Sequence, residues 1–314
     1  MNRQDGYIQY IINPKSGASS GKWLVSQFRD YLAEKGYEVR VEFTQSLEHA
    51  CELAAKASID NPCGLVLGAG GDGTVREILH GLKGTHKLFM PVPSGTENLL
   101  ANELGFDLHL QTLINAFEGN CTKPLDLGMI NDHCFMSIAG FGFDGAVIHR
   151  LFEHRTGHIS HLSYFWPIWR TFWEHDFPAM KVVVDGQEIF NDRGLVFVGN
   201  TSRYAIGLNI CKNADFGDGL LDVCIMRCHD QAHLMAHSVN VVFKRHTQSK
   251  NVIYTQGKSI QVIPTDGPVY CQIDGDPGPD LPADIKVLPQ AIRVLVPPGA
   301  KPAGLRTRLR RAIG

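Results

Sequence analysis

A chain of 314 residues is long for one hydrophobic core and sufficient for two domains. Its composition, 44% hydrophobic and 20% charged, is that of an ordinary globular protein, and 30 basic against 32 acidic residues leave a net charge of −2, so no global field selects nucleic acid. No uninterrupted apolar run approaches the ~20 residues of a membrane helix. The eight cysteines are scattered without a C-x-x-C pair and read as reduced, buried thiols. The first strand begins at Tyr7 and leaves no room for a signal peptide, so a cytoplasmic enzyme is expected.

In chain order, Tyr7 to Ile12 reads as a strand, Gly21 to Lys35 as a helix, Tyr37 to Phe43 as a strand and Leu47 to Ala57 as a helix. Gly64 to Leu67 has the composition of a buried parallel strand. It leads into Gly70-Gly71-Asp72-Gly73-Thr74 and a helix marked by Val75, Ile78, Leu79 and Leu82, where Thr74 and Glu77 fit a T-x-x-E capping box. One strand later the pattern repeats. Leu88 to Val92 leads into Pro93-Ser94-Gly95-Thr96-Glu97-Asn98, with Ser94 and Glu97 as a second capping box and Leu99, Leu100 and Leu104 as the apolar side of the next helix. A further helix runs near Leu108 to Phe117. This alternation implies a parallel sheet covered on both faces.

After about Asn131 the texture changes to short strands and turns. Met180 to Phe190 reads as a hairpin about Asp185-Gly186, and Leu195 to Val198, Leu220 to Met226, Ser259 to Ile263, Val269 to Ile273 and Ala291 to Val296 read as further strands. The expected architecture is therefore an α/β nucleotide-binding domain over 1–130, a mostly antiparallel β-sandwich over 131–296 and a basic tail over 297–314.

Glycines 70, 71 and 73 lie where main-chain N–H groups and a helix N-terminus can approach an anion. The same residues match the dinucleotide pattern Gly68-x-Gly70-x-x-Gly73, but that pattern belongs to a first strand. Asp72 also opposes it, because a carboxylate facing phosphate is repelled unless a divalent cation lies between them. Metal-bound nucleoside triphosphate is the better match. Near the N-terminus, Gly17 to Trp23 only approximates a P-loop: the glycine spacing is one residue short, and Trp23 stands at the Ser/Thr position.

GGDGT followed by P-x-G-T-x-N, at this spacing and in this order, resembles the diacylglycerol kinase catalytic family, which also includes sphingosine and ceramide kinases and, more distantly, is similar to NAD kinases. The family usually has an acid after that Asn; Leu99 stands here. The resemblance covers nearly the whole chain and implies a nucleotide-binding domain and a β-sandwich facing each other across an active-site cleft, with the C-terminal segment often packing back on the first domain. It further implies that Asn13-Pro14-Lys15-Ser16-Gly17, Thr44, Gly70 to Thr74, Glu77, Ser94, Gly95, Thr96 and Asn98 contact ATP, and that Asp72 helps hold the nucleotide's metal. Gln272-Ile273-Asp274-Gly275-Asp276 matches the family's D-G-E, with Asp in place of Glu at the third position. Asp274 and Asp276 are the candidate catalytic carboxylates, one as the base that accepts the acceptor's proton and the other orienting or binding metal. A structural Mg²⁺ is implied at Asp215, Asp218 and the carbonyl of Leu220, with Asp126 linked to it through water.

Three histidines, His229, His233 and His237, fall at i, i+4 and i+8 and could share a helix face; without an accompanying acid or Cys they read as a packed or solvated face, and the same reading covers His154, His158 and His161. His161 to Trp173 holds three of the four tryptophans and suits either a core or, if exposed, a lipid surface. The tail from Lys301 to Arg311 carries five basic residues and no acid, which suits anionic phospholipid or a solvated terminus. The expected activity is an ATP- and Mg²⁺-dependent lipid kinase acting on a lipid alcohol, diacylglycerol by default, at a peripheral membrane surface and without nucleic acid. A kinase of a soluble acceptor and a catalytically silent lipid-binding module stay open as alternatives, as does a homodimer.

Overall fold

The computed structural model describes residues 6–17, 19–153, 165–202, 204 and 208–299. The chain forms two compact units, one of residues 1–127 with 288–314 and the other of residues 128–287. The last strand thus begins in the second unit and ends in the first, inside the range that the sequence assigns to the β-sandwich.

The first unit runs β1 (Tyr7–Ile12), α1 (Ser19–Glu34), β2 (Glu38–Phe43), α2 (Leu47–Ile59), β3 (Cys63–Gly70), α3 (Asp72–Leu82), β4 (Leu88–Pro93), α4 (Leu99–Glu103), α5 (Leu110–Gly119) and into β5 (Cys121–Ile130). Strands β2, β1, β3 and β4 lie side by side in that order, all parallel. Ile8, Tyr10, Ile11, Leu65, Val66, Leu67, Phe89 and Met90 are at most 1% exposed, as strands covered on both faces must be. Helix α1 buries Leu24, Phe28 and Leu32, and α2 and α3 bury Leu53, Ala54, Ile78 and Leu79. Full burial of each larger side chain contributes about 1.5–3 kcal/mol before entropy is counted. Neither expected capping box forms. Helix α3 starts two residues before Thr74, with Gly71 as its N-cap and no side-chain cap hydrogen bond. Helix α4 starts after Asn98, whose φ of 50° ends the second glycine turn later than Ser94 would.

The second unit continues through β6 (His133–Phe135), β7 (Ile138–Phe141), α6 (Phe143–Glu153), α7 (Phe165–Glu174), β8 (Ala179–Val184), β9 (Gln187–Gly199), β10 (Leu221–Arg227), α8 (Gln231–Val242), β11 (Val252–Gly257), β12 (Ser259–Pro264), β13 (Cys271–Ile273), β14 (Asp276–Pro277) and β15 (Ala283–Val296). Its strands pair antiparallel. Strand β9 joins two layers: Gln187–Arg193 pairs with β8, and Gly194–Gly199 pairs with β10. Period-two alternation then fills both sides. Val196, Val198, Val223 and Ile225 enter the core between the layers with Val182, Ile260 and Ile285, whereas Leu195, Phe197, Cys224 and Met226 point to the opposite face with Leu234 and Val241 of α8. Helices α6 and α7 are additions to the expected β texture, and α8 is the helix on which His233 and His237 fall. Strands buried on both faces need covers, and α8 is one.

Candidate active-site residues

In the first unit three loops meet at the C-terminal ends of parallel strands, the edge where open α/β sheets bind ligands. The Asn13 side-chain amide donates to Thr74 Oγ1 at 2.9 Å, its Oδ1 accepts the Lys15 N–H at 2.9 Å, and its main-chain N–H donates to Ala69 at 2.8 Å. The Ser16 and Ser94 hydroxyls lie 3.2 Å apart. Glycines let these loops touch. At Gly17, with φ of 83°, a β-carbon would stand 1.7 Å from the Ser94 carbonyl oxygen, and at Gly95 it would stand 2.6 Å from Gly71 Cα. Asn98 closes its own turn, its Oδ1 accepting the Gly95 N–H at 2.8 Å and its Nδ2 donating to the Gly95 carbonyl at 3.0 Å. Buried Thr44 follows β2, and its N–H donates to Ile12 beside Asn13.

The result is a nest of Asn13 to Gly17, Gly70 to Thr74 and Ser94 to Asn98 around the start of α3. Asp72, half-buried, is the first residue of that helix. Space beside Gly71 is open, and the helix carries its partial positive charge there. Pro14, Lys15 and Thr96 are exposed. Glu77, further along α3, accepts from Arg76 Nε at 3.1 Å and faces His80 Nδ1 at 3.7 Å. Among the described residues, Cys51, Glu77 and His80 form the one trio of Cys, His and acidic donors within 4.8 Å of one another; the Arg76 contact occupies one side of it.

In the second unit Asp274 and Asp276 differ. Asp274, at φ 50°, turns its carboxylate back onto the chain, where it accepts the N–H groups of Met136 at 2.8 Å, Ser137 at 2.8 Å and Ile138 at 3.0 Å. A carboxylate holding three main-chain donors is a poor proton acceptor. It clamps the turn that presents Asp276, which is half-buried on β14. A second support was not legible as such in the sequence. Gln272 donates to Asp144 Oδ2 at 2.8 Å and accepts the Gly275 N–H at 2.8 Å, while the Tyr204 hydroxyl donates to Asp144 Oδ1 at 2.6 Å. Burial pushes the Asp144 carboxyl up to about 6, against the opposing effect of those two donors. The signal was there in Gly140-Phe141-Gly142-Phe143-Asp144-Gly145: a β-carbon at Gly140 would come within 2.1 Å of Asp144 Oδ2, and one at Gly145 within 2.2 Å of the Tyr270 carbonyl oxygen.

The expected cation ligands split between the units. Asp215 and Asp218 sit on one tight turn, accepting the N–H groups of Gly217 at 3.2 Å and Leu220 at 3.0 Å. Nearby Asp222, buried, accepts from Tyr254 at 2.5 Å and Gln256 at 2.8 Å. Burial pushes its carboxyl up to about 6, and the charges of Asp218 and Asp215 push the same way. Asp215, Asp218 and the Leu220 carbonyl offer oxygen donors, the kind that a hard cation such as Mg²⁺ takes. Asp126, fully buried, accepts the Gln290 N–H at 2.6 Å in the first unit.

The three histidines do not form a ligand set. His229 precedes α8 and faces Asp192 at 3.4 Å, His233 pairs with Asp230 at 2.9 Å, and His237 Nε2 bonds the Arg227 carbonyl at 2.8 Å. His154, His158, His161 and the tail from Lys301 lie outside the described residues, whereas Trp166, Trp169 and Trp173 are 48–64% exposed on α7. A cavity of 540 Å³ in the second unit includes none of the expected site residues; paired charges such as Arg150–Glu174 and Arg193–Asp266 line it. No helix among the described residues is long and apolar enough to cross a membrane.

The chain thus joins a parallel α/β unit, in which three loops meet at the strand ends, to an antiparallel sandwich, and the same two-part order appears among kinases. Residues 8–130 match the diacylglycerol kinase catalytic domain, and residues 137–296 match the YegS C-terminal NAD kinase beta sandwich-like domain. The chain therefore belongs to the diacylglycerol kinase catalytic-domain family. It is 29% identical to a diacylglycerol kinase of Mycobacterium tuberculosis over 93% of this chain and 96% of that one, and 23% identical to one from Bacillus subtilis over 91% and 95%. In fold it is similar to a crystal structure of a diacylglycerol kinase from Bacillus anthracis, with a TM-score of 0.69 at 19% identity over 96% of this chain and all of that one.

Proposed function

We propose that this protein transfers the γ-phosphoryl group of ATP to the hydroxyl of a lipid alcohol, with diacylglycerol as the first acceptor to test. The observation that carries the reading is the interlocked nest around the start of α3, where the close approaches at Gly17 and Gly95 bring three loops together, space beside Gly71 is open at the helix N-terminus, and Asp72 stands at its edge. Such a nest suits a triphosphate, whose charge meets aligned amides. Asn13 and Asn98 hold the loops in shape through their side-chain hydrogen bonds.

In the second unit Asp276 is assigned the role of base, taking the proton of the acceptor hydroxyl as it attacks, because the Asp274 carboxylate is already occupied by three N–H donors. Asp274 and Gln272 position it. Asp72 would hold the nucleotide's Mg²⁺, and Asp215, Asp218 and the Leu220 carbonyl a structural one. A bound Mg²⁺ neutralises charge on phosphoryl oxygens and on the carboxylates that hold it.

The test is transfer of radiolabelled γ-phosphate from ATP to a total lipid extract and to a soluble-metabolite extract, with organic and aqueous phases counted apart and the organic product identified by mass. Label in phosphatidic acid supports the reading. Label only in the aqueous phase assigns a soluble acceptor, and ATP binding without transfer to either extract assigns a silent module.

A further inference from the structure

From Gln231 to Thr265 the chain contains no Asp or Glu, while Lys244, Arg245, Lys250 and Lys258 all fall within it. Helix α8 opens this stretch and has two faces. Leu234, His237 and Val241 are buried against Phe197, Cys224 and Met226. On the other side Met235, Val239, Val242 and Phe243 form a stripe at helical spacing, 54%, 47%, 63% and 68% exposed. Exposed Lys244 and Arg245 follow the stripe at once.

The corner is held firmly. His237 Nε2 bonds the Arg227 carbonyl at 2.8 Å on one side of it, and fully buried His246 bonds the Ile210 carbonyl at 2.8 Å on the other. Lys244, at φ 57°, ends the helix between them. Phe243 therefore projects from a fixed backbone with two cations beside it.

An apolar stripe bordered by basic residues and lacking acids is what lies well at the boundary of an anionic bilayer, where the acyl region takes the apolar side chains and the negative surface potential attracts the cations. A second copy of this chain would bring its own Lys244 and Arg245 to a shared symmetric contact, where like charges oppose pairing. Helix α7 packs on the same cluster through Phe172 and exposes three tryptophans, a residue type favoured at the membrane–water boundary.

We propose that the exposed face of α8, with the Lys244–Arg245 corner, docks this unit on anionic phospholipid bilayers. The inference rests on the lipid-kinase reading for the reason that a bilayer is met at all.

The experiment is sedimentation of the full chain, without nucleotide, with phosphatidylcholine vesicles that contain or lack phosphatidylglycerol. Wild type is expected to pellet only with phosphatidylglycerol, less so as salt rises. Each basic residue near such a surface contributes a factor of about five, so Lys244→Gln with Arg245→Gln should lower the partition coefficient roughly thirty-fold. Val242→Ser with Phe243→Ser should lower it by about tenfold or more, with unchanged melting temperature. Failure of wild type to pellet with anionic vesicles, or wild-type pelleting by both variants, overturns the proposal. So does a wild-type dimer that the Phe243 variant dissociates, which would assign the face to a second copy. Turnover is read separately on detergent-dispersed diacylglycerol: vesicle binding by a chain that phosphorylates no lipid sinks the kinase reading and upholds the docking.

Discussion

Gly17 lies so close to Ser94 that a β-carbon at position 17 would stand 1.7 Å from the Ser94 carbonyl oxygen. The two residues belong to loops 77 positions apart, and that contact, with the Ser16–Ser94 hydroxyl pair, locks the first loop of the nest to the third. Gly17→Ala must break the contact and also strain a φ of 83°. The expected cost is about 2–4 kcal/mol or displacement of the loop, with loss of ATP affinity. Denaturant unfolding and binding of a non-hydrolysable ATP analogue check it. Gly36, with open space at its β-carbon, serves as the comparison, since its alanine pays only for a φ of 81°.

The two carboxylates of the second unit should separate by phenotype. Asp276→Asn is expected to keep the wild-type melting temperature and to lower kcat by about 10²–10⁴-fold, the usual contribution of a general base. Asp274→Asn should instead destabilise the protein by about 1–3 kcal/mol, because an amide offers one acceptor oxygen to three N–H donors and turns its NH₂ toward one of them. Calorimetry beside steady-state kinetics distinguishes them, and wild-type turnover in Asp276→Asn would remove it from the mechanism.

Asp144 gives a pH dependence of defined sign. Its carboxyl rises from 3.8 to about 6 on folding, so between those values the native state binds more protons than the unfolded chain. Its contribution to stability is therefore fully present below about pH 4 and is lost as pH rises toward 6, a change on the order of 3 kcal/mol. The slope of unfolding free energy against pH over that window should be less negative in Asp144→Asn than in wild type.

For the cation, Mg²⁺ added to metal-stripped protein should raise the melting temperature, by the equivalent of about 2.7 kcal/mol at a hundredfold excess over Kd. Asp215→Asn with Asp218→Asn should abolish that response without nucleotide present. An equal Mg²⁺ response in the double variant would place the ion elsewhere.

Local pattern made the parallel unit legible. Apolar runs of strand length followed by glycine turns and helical spacing gave β3, α3 and β4 nearly as they stand. Helix starts were misread because Ser/Thr-x-x-Glu is a local signal, and here the glycines, which can reach a ligand or another loop, begin the helix instead. Helices α6 and α7 were missed for the opposite reason: Gly145 and Pro167 lower helix propensity, and packing overrides it.

What the sequence by itself determined is the kind of chemistry, because the order GGDGT, P-x-G-T-x-N and D-G-D is carried by neighbouring residues whose turn geometry is local. What only the tertiary structure decided is the division of labour among them. That the Asp274 carboxylate is engaged by main-chain N–H groups depends on Met136, Ser137 and Ile138, more than 130 residues away. Whether Gly17 serves the nest depends on Ser94. Hydrogen bonds and steric contacts between distant segments are properties of the packed chain, and no local spacing encodes them.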